Sequence, residues 1–210
     1  MMHAVEVVTA DVLTVIASVM YVVYTLRDTV QPQIVSWAAW AALLAESTVA
    51  EFLDWKLPAA LYTGICATAC AVITVLVLRR GTWVPSLLDK FSLAAVAAGL
   101  VLLVVVRSDR ATVLVTVIAD LAAYLPTMKH AWDEPYEEPW LVYLLFGAGA
   151  GLTLAAAPLT VVGSAYPFYL TAADFLVVLF IVFRRRQHRA ELSQLLDPDQ
   201  SLDHRGSIQN

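Results

Sequence analysis

The sequence contains few charged residues. They make up 15% of the 210 residues, whereas 60% of the chain is hydrophobic. A soluble domain has about 25% charged and about 45–50% apolar residues. The apolar residues are also gathered in long stretches, and about 20 helical residues are enough to cross a bilayer core. The composition therefore excludes an ordinary soluble domain and predicts an all-α polytopic protein embedded in a lipid bilayer.

Motifs that would indicate other functions are missing. The two cysteines, Cys66 and Cys70, stand four residues apart on one predicted helix, so they form no CxxC redox or zinc motif. The chain contains neither HExxH nor GxSxG, and its last apolar stretch has no lysine for a retinal Schiff base. We therefore predict neither an enzyme nor a light sensor, and nothing suggests nucleic-acid binding.

An acidic turn over residues 130–139 resembles a metal site only in composition. Its charged and imidazole side chains match no ligand spacing, so we expect no metal and no other cofactor. We expect these side chains to be solvated at the cytoplasmic face, some of them pairing with Lys129 or with arginines of the tail. They are His130, Asp133, Glu134, Glu137 and Glu138.

Seven apolar stretches are long enough to be transmembrane helices. If the N-terminus is outside, every lysine and arginine except Lys56, Arg107 and Arg110 falls on the cytoplasmic side. This is the asymmetry that the positive-inside rule describes, and an even number of spans would destroy it. We predict a multi-pass protein of the inner (plasma) membrane with its C-terminus in the cytoplasm. The predicted spans are 4–26, 34–53, 57–78, 90–106, 111–130, 140–157 and 160–183.

Two parts of the chain match each other at an offset of 103 residues. At this offset Tyr21 falls on Tyr124, and Pro32 falls on Pro135. Two triplets of spans can share one orientation only if an extra helix separates them, which predicts a 3+1+3 arrangement. Parallel repeats of this kind are found in transporters. The predicted domains are a first three-helix bundle (1–80), a linker helix (81–110), a second three-helix bundle (111–186) and a disordered cytoplasmic tail (187–210).

Acidic residues lie inside the spans, whereas no lysine or arginine lies deep in any of them. A charged side chain at the bilayer centre costs about 2.5–3.5 kcal/mol on insertion scales, so such residues should face the bundle interior and serve a function. For acids near helix ends, such as Asp11, Glu46 and Glu51, the alternative is the headgroup zone. The predicted substrate-binding residues are Asp11, Glu46, Asp120, Tyr124 and Asp174.

Pro126 and Pro167 interrupt apolar spans. Each proline removes a backbone hydrogen bond and kinks its helix. In a bundle that opens alternately to two sides such kinks are candidate hinges. The alternative is that the prolines are merely tolerated.

Two further patterns concern packing rather than chemistry. Glycines in the sixth span, from Gly147 to Gly151, form a small-residue face that allows close helix contact. Five tryptophans fall near span ends and are predicted to be interface anchors rather than an aromatic box. They are Trp37, Trp55, Trp83, Trp132 and Trp140.

The arrangement resembles the PQ-loop/SWEET superfamily of membrane transporters, in which two triple-helix bundles are joined by one helix. The best local match is Tyr124-Leu125-Pro126-Thr127, at the first helix of the second bundle, where such families carry a hinge proline. The stretch that follows is also similar to a group of small bacterial membrane proteins with an Asp…Pro-Thr…Lys…Pro…Glu pattern. The resemblance implies solute transport with a hinge at Pro126.

The sequence departs from that superfamily at three places. Pro32-Gln33 reads as PQ, but Pro32 falls opposite a proline of the acidic turn, and Val23 occupies the position that matches Pro126. SWEET proteins use an asparagine on the last helix of each bundle for sugar binding. Asp174 stands at the candidate position here, and the third helix supplies no asparagine.

Two functions from different classes follow from these patterns. The first is a transporter for a small polar solute, in which one three-helix bundle rocks against the other around Asp120 and Asp174. The alternative is a non-transporting scaffold or receptor that binds a partner through the acidic turn and the tail. A homodimer, the identity of the solute and coupling to protons all stay open at this point.

Overall fold

The computed structural model describes residues 2–81, 83–106 and 108–195. This part of the chain forms seven α-helices and no strand. Each predicted span falls on one helix, so the all-helical class is confirmed. The helices are α1 (Met2–Leu26), α2 (Ile34–Leu53), α3 (Leu57–Arg80), α4 (Leu87–Val105), α5 (Asp109–Asp133), α6 (Trp140–Ala156) and α7 (Val161–Leu195).

Five of these helices are long and apolar enough to cross a membrane. They are α1, α3, α4, α5 and α7. Helix α6 is apolar but shorter, and α2 carries Glu46 and Glu51, which lower its hydropathy. The five long helices suggest a membrane-embedded protein, because a soluble fold of this size rarely leaves so many apolar side chains exposed.

The last helix extends well beyond the predicted span. It continues to Leu195, so residues 187–195 are helical and the prediction of disorder is wrong there. This segment contains alanine, leucine, glutamate, glutamine and arginine, which are all good helix formers. The rest of the predicted disordered tail, residues 196–210, lies outside the described residues.

Helices α1 and α2, joined by residues 27–33, and helices α5 and α6, joined by residues 134–139, have no close backbone contact among the described residues, although the Tyr21 and Trp37 rings meet between α1 and α2. Instead α3 packs against both α1 and α2, and α7 packs against both α5 and α6. Between these groups α1 packs against α6, and α2 packs against α5. Helix α4 lies against α5 and α2.

Glycines set the closest of these helix contacts. A Cβ atom added at Gly149 of α6 would lie 2.9 Å from Thr14 Oγ1 of α1, and one added at Gly99 of α4 would lie 2.6 Å from the Ala119 Cβ of α5. Both spacings are too short for a larger residue without a backbone shift. The interpretation of the α6 glycines as packing residues is confirmed.

The largest buried cluster gathers aromatic side chains from several helices. It includes Tyr21, Trp37, Tyr124 and Tyr143. Trp37 is only 2% exposed, so its prediction as an interface anchor is wrong. Its indole is buried because it packs on the Tyr21 ring, with 4.2 Å between ring centroids. The other four predicted anchors are exposed: Trp55, Trp83, Trp132 and Trp140.

Candidate functional site

Two of the predicted acids lie buried on neighbouring helices. Asp120 of α5 and Asp174 of α7 are each 2% exposed. One turn after Asp120, the Tyr124 hydroxyl donates a hydrogen bond to Asp174 Oδ1. The structure therefore brings together three of the five predicted substrate-binding residues, and we call Asp120, Tyr124 and Asp174 the carboxyl pair site.

Polar aromatic side chains surround Asp120. Trp40 of α2 and Tyr169 of α7 direct their polar atoms towards its carboxyl group. Within the described part of the chain, however, Asp120 Oδ2 and the Tyr169 hydroxyl are buried without a hydrogen-bond partner of normal geometry. Most buried polar atoms in proteins have a partner. These two atoms therefore mark a place where a polar solute or a water molecule would bind.

No basic side chain among residues 2–81, 83–106 and 108–195 forms an ion pair with the carboxyl pair site. The ion pairs among the described residues all involve other groups, in turns and at helix ends. A buried charge is normally paired, because an unpaired one loses its hydration without compensation. Acids that stay unpaired inside an apolar bundle are candidates for binding a solute or a proton.

The other two predicted residues lie away from this pair. Asp11 of α1 is half-buried and acts electrostatically on Tyr62 of α3. Tyr62 in turn acts on Tyr166 of α7, which is also influenced by both aspartates of the pair. Asp11 therefore stands apart from the pair, with Tyr62, Tyr166 and the α3 cysteines Cys66 and Cys70 between them. Glu46 is half-buried and makes no hydrogen bond or ion pair with another described residue.

Both candidate hinge prolines lie inside helices near the pair. Pro126 follows Tyr124 in α5, and Pro167 precedes Asp174 in α7. Next to Pro126 the Ser36 hydroxyl of α2 donates a hydrogen bond of 2.5 Å to the Ala123 carbonyl oxygen. This bond from another helix supports a backbone that a proline has interrupted.

Glu138 is a site residue that the sequence analysis missed. We expected it to be solvated, but its side chain is 0% exposed. Its Oε2 atom accepts hydrogen bonds of 2.8 Å from the hydroxyls of Tyr21 and Tyr143. Asp133 and Glu134 of the same turn are exposed, as expected. A signal that could have revealed Glu138 is its position directly before Pro139, the residue that precedes the start of α6 at Trp140.

The turn that carries Glu138 is fixed from two directions. Arg185 of α7 donates hydrogen bonds to the carbonyl oxygens of Pro135 and Glu138, at 2.8 Å and 3.0 Å. From the α1–α2 turn, Gln31 donates its backbone N–H to the Glu137 carbonyl at 3.2 Å and its side-chain amide to Glu137 Oε1 at 2.9 Å. We expected tail arginines to pair with acids, but Arg185 binds carbonyls and thereby holds Glu138 inside.

The environment of Glu138 disfavours its ionised form. Burial raises the pKa of Glu138 to about 8, against the lowering effect of the two tyrosine hydroxyls, and Glu137 adds to the rise. The second carboxyl oxygen, Oε1, is buried without a hydrogen-bond partner among the described residues. It lies 4.0 Å from His130 Nε2, which in turn lies 3.5 Å from Glu137 Oε2.

A row of aromatic rings joins Glu138 to the carboxyl pair site. Tyr21 contacts Trp37, Trp37 contacts Trp40 with 5.2 Å between centroids, and Trp40 contacts Tyr124 at 4.7 Å. The tyrosines at the two ends donate hydrogen bonds to the two carboxyl sites. Trp37 and Trp40 thus connect the two carboxyl sites. The positions of the tryptophans in the sequence did not reveal this connection.

No family model, curated protein or solved structure matches this chain. The PQ-loop/SWEET resemblance therefore stays a prediction from the sequence pattern. The structure itself defines an all-helical, membrane-type protein with two buried carboxyl sites.

Proposed function

We propose that this protein is an integral membrane transporter for a small polar solute, built as a 3+1+3 repeat. The two bundles would be residues 1–80 and 111–186, joined by the linker helix of residues 81–110. The helix pairing supports this division, because α3 lies between α1 and α2 just as α7 lies between α5 and α6. The contacts of α1 with α6 and of α2 with α5 are related in the same way.

The observation that carries the proposal is the unpaired carboxyl pair site. Asp120 and Asp174 are buried together, and Asp120 Oδ2 and the Tyr169 hydroxyl each lack a hydrogen bond of normal geometry within the described residues, although the hydroxyl is directed towards the Asp120 carboxyl group. A solute with hydroxyl or amine groups would satisfy both atoms. These polar groups converge in an otherwise apolar interior, on α5 and α7 of the proposed second bundle, and Trp40 of α2 covers them from the first bundle. Transporters built from repeats bind their solutes where the repeats meet.

Alternating access would rock one bundle against the other at the α1–α6 and α2–α5 contacts. Pro126 and Pro167 lie in the two helices that carry the carboxyl pair site. Bending at either proline would move Tyr124 relative to Asp174 and so would change the site while it opens. We propose the orientation with the N-terminus outside and the C-terminus in the cytoplasm, because of the distribution of lysine and arginine.

Ligand-induced thermal stabilisation of the purified protein tests this function. The panel would contain sugars, amino acids, nucleosides and vitamins. A ligand that binds only the native state raises the free energy of unfolding by about 2.7 kcal/mol at a hundredfold excess over its Kd. We expect a hit whose effect disappears in Asp120→Asn and Asp174→Asn. The control is Asp54→Asn, which removes an exposed carboxylate outside the helices.

Two results would contradict the proposal. One is a protein that melts cooperatively but responds to no solute. The other is a hit that both aspartate variants retain. Loss of partner binding on deletion of residues 190–210, with no solute response, would instead favour the scaffold or receptor.

A further inference from the structure

The Glu138 cluster ties the two proposed bundles together at one end. We call this end, which contains residues 27–33 and 134–139, the turn end of the molecule. Tyr21 belongs to the first bundle, whereas Glu138 and Tyr143 belong to the second. The bonds from Gln31 to Glu137 add a second link between the same two parts. Opening the turn end requires these bonds to break.

The Glu138 carboxyl group has one place for a proton. Its Oε2 atom already accepts two hydroxyl hydrogens, whereas Oε1 accepts none from the described residues. His130 Nε2 is also buried without a hydrogen-bond partner in this part of the chain and lies 4.0 Å away. His130 in addition lines a surface hollow at the turn end, together with Gln31 and Arg80. His130 therefore stands between this hollow and Oε1, and a movement that shortens the 4.0 Å gap to hydrogen-bond distance would let a proton pass.

We propose that Glu138 is a proton-binding site that closes the turn end of the bundle. With a proton on Oε1 the neutral carboxyl group stays buried between Tyr21 and Tyr143. When that proton leaves through His130, the carboxylate moves into solvent and α1 separates from the α5–α6 turn. As a step of transport this inference rests on the proposed function, and it names the proton as a second ligand.

The groups that face Glu138 determine whether its protonation closes or opens the turn end. The hydrogen-bond donors to its carboxyl group are two neutral hydroxyls, and no cation among the described residues makes an ion pair with it except the imidazole of His130, if protonated. Arg185 is occupied by backbone carbonyls, and Arg80 binds the Val30 carbonyl and Asp28. An ionised carboxylate without a firm countercharge is more stable in water than in this pocket. Deprotonation therefore favours the open turn end, and protonation favours the closed one.

Hydrogen–deuterium exchange of the full-length protein in lipid vesicles tests the proposal. The readout is backbone protection in residues 134–145, corrected for the intrinsic pH dependence of exchange. We expect protection to fall about tenfold for each pH unit above the midpoint, as one linked proton requires. In Glu138→Gln, a neutral side chain that still accepts both tyrosine bonds, protection should be high and independent of pH. In the control Glu137→Gln the pH response should remain.

A second variant tests the hydrogen bonds themselves. Tyr143→Phe removes a donor that favours the carboxylate, so the pH midpoint of exchange should move upward. This variant also tests the proton-binding role of Glu138 if Glu138→Gln does not fold. An infrared band of a protonated carboxyl group that is present below the midpoint, absent above it and missing from Glu138→Gln provides an independent measurement.

The outcomes separate this proposal from the transporter function. Protection that does not depend on pH, or a pH response that persists in Glu138→Gln, would overturn the proton-binding gate. Asp174→Asn should abolish the solute response yet leave the exchange profile of residues 134–145 intact. If no solute of the panel binds but the exchange profile is as expected, the transporter function is rejected and the proton-binding role of Glu138 is retained.

Discussion

Tyr21 and Tyr124 stand 103 residues apart and use their hydroxyls in the same way, but with different partners. Each is buried, and each donates a hydrogen bond to a buried carboxyl group. Tyr124 of α5 bonds Asp174 of α7, within the proposed second bundle. Tyr21 of α1 bonds Glu138, which lies in the other proposed bundle. Two tyrosines that match at the offset of 103 residues thus bond a carboxyl group within one proposed bundle in one case and a carboxyl group of the other proposed bundle in the second case.

The carboxyl groups themselves are unevenly distributed between the halves. At the offset of 103, Asp120 corresponds to Ala17, Glu138 to Val35 and Asp174 to Ala71. The buried acids of the two proposed bundles, as far as the structure describes them, all belong to the second. The first bundle adds the Tyr21, Trp37 and Trp40 rings, while tyrosines of the second bundle itself donate to two of the acids. In the proposed 3+1+3 arrangement the buried acids of the two bundles thus lie in the second bundle, and the first contributes Tyr21 as a contact to one of them.

The difference between the two tyrosine–carboxyl contacts is tested most strongly by removing the carboxyl group of Asp174. Asp174→Asn should weaken solute binding about a hundredfold, enough to remove most of the thermal response, because leaving buried polar groups unsatisfied costs about 1–3 kcal/mol. Calorimetric titration with the solute found in the panel would measure this loss. Unchanged affinity would remove Asp174 from the site and leave Tyr124 with a structural bond only.

Glu138, whose carboxyl group links the two proposed bundles, should instead change how the stability of the protein depends on pH. The folded state raises the pKa of Glu138 from 4.5 to about 8, so it binds a proton that the unfolded chain releases. Stability is therefore complete at acidic pH and is lost as pH rises towards 8, by up to about 1.4 kcal/mol per pH unit. Melting temperatures of Glu138→Gln should show a smaller decline than those of the unmodified protein. An equal decline in that variant would assign it to another group.

The two tyrosines should differ in what their hydroxyls contribute to stability. Tyr124→Phe leaves Asp174 Oδ1 without its donor and should destabilise the protein by about 1.5–3 kcal/mol. Tyr21→Phe should have a smaller effect, about 1 kcal/mol, because Glu138 keeps the bond from Tyr143. Thermal melting of both variants side by side measures the difference. Equal losses would mean that the two hydroxyls are equivalent after all.

The smallest effect is expected at the contact between the two turns. Gln31→Ala removes one exposed side-chain bond to Glu137 while the backbone bond remains. We expect a loss of stability below about 1 kcal/mol and a slightly faster exchange of residues 134–139. A loss larger than that of Tyr21→Phe would show that the turns, rather than Glu138, hold this end together.

The sequence was sufficient for the helices and for the carboxyl pair site. Long apolar stretches predict helices well, and an acid within such a stretch stands out, as Asp120 and Asp174 did. Glu138 could not be found in this way, because it lies among solvated acids beside a proline. Its burial depends on Arg185 and Gln31, which are distant in sequence. The extension of α7 was missed for a related reason, since its residues are polar and show no apolar periodicity.

The aromatic row gives the protein an optical reporter of its own. Trp37 is shielded by the Tyr21 ring, whereas Trp55, Trp83, Trp132 and Trp140 are exposed. An indole that passes from an apolar pocket into water emits at longer wavelength. Separation of Tyr21 from Glu138 would loosen the packing around Trp37 and shift its emission. Movement at the turn end could therefore be followed in real time by intrinsic fluorescence, without attaching a label.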